Sequence, residues 1–131
     1  MKVMENHLGI TDEAFGAIVA EAIDALPEKY GRRLDNVAFV TADQPSPQQR
    51  EKMRLRHYET LFGLYEGIPQ VTRGAGYSFV LPDKITIFKL PLIAASRTVE
   101  ELRERTRKTV WHEVAHHFGL DHEQIDRLGG S

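Results

Sequence analysis

Residues 111–122, WHEVAHHFGLDH, decide how this chain is read. They hold four histidines and a glutamate, and His112, His116 and His122 sit at offsets of 0, 4 and 10. On a helix His116 lies about 40° round from His112 and one turn further along, so the two imidazoles can share one cation. Glu113 lies about 100° round, beside that face but offset from the metal. A carboxylate there can take a proton from a water on the ion without displacing it. Val110, Val114 and Phe118 fall on the opposite side, roughly 160° to 240° round. One face then packs into a core while the other borders a cleft.

Two helical ligands do not complete a catalytic zinc site, which takes three protein ligands and keeps one position open. Gly119 offers the route to a third. Glycine accepts the left-handed conformation that ends a helix sharply, so the chain can double back and carry His122 toward the metal. The expected site is Zn2+ held by His112, His116 and His122, with Glu113 as general base. The chain has no cysteine, so the donors must be His, Asp or Glu. HExxH alone is a moderate signal; extended by the glycine and third histidine, on a capped helix, it is a strong one. His117 lies about 140° round, on the flank of the core face, and is read as packed or hydrogen-bonded. His7 and His57 have no partners nearby in sequence and are read as surface. Glu123 is not expected to act at the site.

Working outward, Thr98 and Glu101 form a capping box from which a helix can run to about Phe118. Asp121, paired with Gln124, can cap a short helix reaching about Leu128. Residues 11–26 place Phe15, Ile18, Val19, Ala22, Ile23 and Leu26 on one helical face, with Thr11 as N-cap and Pro27 at the end. VAFVTA (37–42) reads as a strand, and Ser46, Pro47 and Gln49 can open a short helix. YSFVL and KITIFKL, separated by Pro82-Asp83, read as a hairpin, with Pro91 limiting the second strand. FGLYEGIPQ and the glycine-rich TRGAGYS stay unassigned. The order of elements predicts a compact α+β domain spanning 1–131: a small mixed sheet packed against an N-terminal helix and a C-terminal metal-binding helix.

Composition narrows the partners. A net charge of -2 gives no basic field for nucleic acid or anionic membrane. No apolar run is long enough to span a bilayer, and the N-terminus lacks a signal-peptide core, so a cytoplasmic location without a pro-segment is expected. Arg50, Lys52, Arg54 and Arg56 read as a solvated face rather than a surface for an anionic partner. The sequence leaves the oligomeric state open.

HEVAHHFGLDH resembles the extended zinc signature of the metzincin metallopeptidases. It lacks their later Met-turn, since the methionines are Met1, Met4 and Met53. The closer resemblance is to a family of short bacterial zincin-like metallopeptidases, whose pattern is HExxHxxGxx followed by Asp or His. FGLYEGIP, TRGAGY, LPDKITIFK and HEVAHHFGLDHEQIDRLG all look like that family, in that order. The resemblance implies a minimal zincin-like fold, a zinc cofactor and a peptide or protein substrate. This chain carries His122 where many relatives carry Asp. The metal site also resembles that of the bacterial rRNA-maturation endoribonucleases, which have three histidines at the same spacing. They usually carry glycine where this chain has Glu113.

Glu113 restores the general base of a peptidase, so peptide hydrolysis is the expected activity. A metal-dependent endoribonuclease and a non-catalytic zinc protein are the alternatives. One edge of the 77–90 hairpin is expected to hold substrate by strand addition. Tyr77 is a candidate to steady the oxyanion, though packing in a strand is the commoner role for such a residue.

Overall fold

Caps and periodicity place the helices. In the computed structural model, which describes residues 4–67, 82–120 and 122–129, the Thr11 hydroxyl accepts from the Ala14 amide at 3.0 Å and opens α1, Asp12–Asp24. Phe15, Ile18, Val19 and Ala22 of that helix are buried, as their spacing predicts. A short α2, Glu28–Gly31, begins after Pro27, and β1 is Val37–Ala42. Ser46 and Gln49 cap each other reciprocally, at 3.0 and 2.9 Å, and start α3, Pro47–Lys52. β2, Gly63–Glu66, lies in the stretch that the sequence left unassigned. β3, Asp83–Phe88, leads directly into α4, Lys89–Ala94. Pro91 falls in the first turn of that helix, where a missing N–H costs nothing. The expected second strand therefore stops two residues short of Leu90. The long α5 is Val99–His117, with the Thr98 hydroxyl accepting from Glu101 at 3.1 Å, and α6 is His122–Gly129.

The sheet has the order β1-β3-β2. β1 runs parallel to β3 from Val37↔Asp83 to Ala42↔Phe88, and β2 runs antiparallel to it from Gly63↔Ile87 to Glu66↔Lys84. This corrects the hairpin expectation. A strand has two hydrogen-bonding edges, and both edges of β3 are taken, by β1 and by β2. Neither offers the open edge expected to bind substrate. The other half of that hairpin, residues 77–81, lies outside the described residues, as does TRGAGYS.

Ile85 and Ile87 project from β3 into the main core with no exposed surface. Phe15, Ile18 and Val19 of α1, Leu92 and Ile93 of α4, and Leu102, Val110 and Val114 of α5 meet them there. The sheet, α1 and α5, the helix that carries the HExxH motif, thus form the α+β arrangement expected from sequence. Lys89 is buried and ties α4 to the start of α1 through Asp12, at 2.7 Å. A second cluster, of Tyr30, Trp111, Ala115 and Ile125, joins α2, α5 and α6.

Two residues of the basic run, Arg50 and Arg56, fold back on their own loop. Arg50 donates to the carbonyl oxygens of Glu59 and Arg56, at 2.9 and 2.7 Å. Lys52 pairs with Glu66, and Arg56 donates to the Tyr58 hydroxyl. No described helix is long and apolar enough to cross a membrane.

Candidate metal centre

Helix α5 carries three groups to one place. The candidate ligand atoms of His112, Glu113 and His116 all lie within 4.8 Å of one another, and the two imidazole centroids are 4.5 Å apart. This is the juxtaposition that one-turn spacing predicts. Two imidazoles beside a carboxylate are a donor set that suits zinc, so the residues fit the ion that the motif implies. His122 opens α6. Its side chain lies outside the described residues, so the third ligand stays an expectation, and Tyr77 lies outside them too.

The turn between the two helices has the form that Gly119 was expected to provide. Gly119 adopts φ +73, and Phe118 caps the helix. The Gly119 amide donates to the His116 carbonyl and the Leu120 amide to that of Ala115, both at 3.0 Å. This paired 5→2 and 6→1 arrangement is a Schellman motif, which satisfies the last carbonyls of α5 while reversing the chain.

Glu113 sits deeper than its position on a helical wheel suggests. Its side chain is only 10% exposed, against 36% for His116. Oε1 accepts from the Tyr65 amide at 3.0 Å and lies 3.5 Å from His116 Nδ1. Burial pushes the carboxyl up to about 7, and the Tyr65 hydrogen bond opposes that shift only in part. The imidazoles therefore sit nearer solvent, with a carboxyl beneath them that changes charge near neutrality.

Gly63 makes the close approach of β2 to α5 possible. A Cβ there would lie 2.9 Å from Thr109 Cγ2, 3.0 Å from Glu113 Cγ and 3.3 Å from the Thr86 carbonyl oxygen. Thr109 cannot swing aside freely, because its hydroxyl donates to the Arg105 carbonyl at 2.8 Å. Gly63→Ala is expected to destabilise the fold by about 1–3 kcal/mol through overpacking, measured as a lower urea midpoint at unchanged slope. An unchanged midpoint would mean that the strand and helix do not meet this closely.

His117 is hydrogen-bonded, as read from the sequence. Its Nδ1 lies 3.0 Å from Asp83 Oδ2, which also accepts from the Tyr65 hydroxyl at 2.8 Å. Tyr65 thus touches α5 twice, through its backbone at Glu113 and through its ring beside His117. Sequence reasoning did not find Tyr65 or Asp83, because nothing local in either segment refers to α5. His7 and His57 are exposed as expected, and His7 also bonds the Ser96 carbonyl at 2.9 Å. Glu123 is exposed.

A small mixed sheet, packed against a helix that presents HExxH, defines a zincin-like domain. The chain belongs to the zincin-like metallopeptidase family, whose profile matches residues 34–131. A solved structure of a conserved hypothetical protein from T. thermophilus shares the fold, with a TM-score of 0.57 at 22% identity. The match covers 83% of this chain and 94% of that one. Comparison with curated proteins gives no match.

Proposed function

We propose that this protein is a single-domain zinc-dependent peptidase, with His112, His116 and His122 holding the ion and Glu113 moving the proton. The buried Glu113 carboxyl beside two histidines carries this reading. When bound, zinc supplies a Lewis acid that polarises a carbonyl and acidifies water. The chain supplies the rest. The Tyr65 amide holds Oε1 and so fixes the plane of the carboxylate, leaving Oε2 as the oxygen to accept a proton. Burial raises this carboxyl in the metal-free chain, which favours its accepting a proton and returning it to the leaving amine.

Membership of a metallopeptidase family points to peptide or protein substrates. The nuclease alternative loses support, because Arg50, Lys52 and Arg56 already have partners within the chain. The test is to incubate zinc-loaded protein with a mixed peptide library and identify products by mass spectrometry. Cleavage is expected that stops with chelator and returns with zinc. A zinc-loaded protein that produces no cleavage, or cleavage indifferent to chelator, would overturn the proposal.

A further inference from the structure

Helix α6 is only eight residues long. Helices shorter than about 12–15 residues do not hold themselves in water, so its position depends on what it docks against. The dock is specific. The indole Nε1 of Trp111 donates to the Ile125 carbonyl oxygen at 3.1 Å. The Ile125 side chain is buried with Tyr30 and Ala115, while Glu123 and Arg127 are exposed. Tyr30 braces the other side, its ring centroid 5.2 Å from those of both Trp111 and Phe118.

The sequence positions give this dock a second meaning. Trp111 immediately precedes His112 on α5, and Ile125 lies three residues, about 4.5 Å of helix rise, beyond His122. The same turn of α5 therefore presents one expected zinc ligand and grips the helix that begins with another. The Gly119 turn fixes where the chain leaves α5, and the indole bond fixes where α6 comes to rest.

We propose that Trp111 is a positioning residue for the third metal ligand, its indole N–H clamping α6 so that His122 is held ready before the metal arrives. The proposal rests on the reading of His122 as a ligand. With α6 docked in advance, zinc meets an ordered ligand. With the clamp removed, binding must also order α6, and affinity falls by the fraction of chains already docked.

Zinc affinity is measured by competition with a chromophoric chelator, with no substrate involved, for wild type, Trp111→Phe, His122→Ala and the double variant. Phenylalanine keeps an aromatic ring in the cluster and loses only the indole donor and part of the volume. Trp111→Phe is expected to weaken zinc binding about tenfold, as outer groups around metal ligands do. In the His122→Ala background the same change is expected to alter affinity less than about twofold, because the two act as one unit. Faster amide hydrogen exchange across 122–129 in metal-free Trp111→Phe supplies a second readout. Equal effects of Trp111→Phe with and without His122, or a lowered stability with zinc affinity intact, would reduce Trp111 to a packing role and overturn the proposal. If His122→Ala binds zinc as tightly as wild type, the third-ligand reading fails first and the positioning role falls with it. Should Trp111→Phe not fold, replacing Trp111 with its isostere 3-benzothienylalanine keeps the ring shape and removes only the N–H that bonds Ile125. It is expected to weaken zinc binding about twofold to threefold, again only where His122 is present; no such loss overturns the proposal.

Discussion

Zinc-loaded protein carrying Glu113→Gln is expected to keep its metal and lose peptide hydrolysis by about 10²–10⁴-fold, the contribution of a positioned general base. Glutamine matches glutamate in volume, and its carbonyl oxygen can still accept from the Tyr65 amide that holds Oε1 at 3.0 Å. The contact with Gly63 is likewise unchanged. The substitution removes only the ability to take a proton. The measurements are kcat on a peptide found by the library screen and zinc per chain by elemental analysis on the same sample. Activity within a few-fold of wild type would take the proton-transfer role away from Glu113. Lost zinc would make Glu113 a ligand rather than a base. His116→Ala is the contrasting variant, since there both zinc and hydrolysis should disappear together.

The helices and the heart of the site were legible because their signals are local. Thr11, Ser46-Gln49 and Thr98 announce helix starts within a single turn, and each hydroxyl accepts the amide bond that its spacing predicts, while Glu101 turns to Arg105 instead of closing the box expected with Thr98. His112, Glu113 and His116 come together by helix geometry alone. The sheet was harder. Alternation says that a segment is a strand but does not name its partner, and the hairpin expectation chose the neighbour in sequence. The run Ile85–Phe88 held a better clue. Every residue in it is buried, as in a strand covered on both faces and paired on both edges. β2 was missed because four residues containing a glycine carry little propensity of their own. Its conformation comes from β3 and α5. Tyr65 and Asp83 are 48 and 34 positions from the α5 residues they touch, so no local pattern could indicate them.

The substitution that removes the proposed base should also strengthen the metal-free fold. Burial raises Glu113 from 4.5 to about 7, so the folded chain binds this proton more tightly than the unfolded chain does. Stability from that preference is fully present below about pH 4.5 and is lost as pH rises through about 7. A difference of that size corresponds to about 3 kcal/mol between the ends of the window. Glutamine stays neutral at every pH and keeps the acceptor for Tyr65. Chelated Glu113→Gln protein is therefore expected to match wild type near pH 4.5 and exceed it by up to about 3 kcal/mol at pH 8, from urea denaturation of both proteins at each pH. A wild-type advantage at pH 8 would mean that the ionised carboxylate is welcome in this setting and that burial does not hold its proton. The expected gain follows from the same feature that suits Glu113 to proton transfer. A carboxylate that burial disfavours is a cost to the metal-free fold above pH 7, and the divalent cation of the proposed function, bound beside it, would offset that cost.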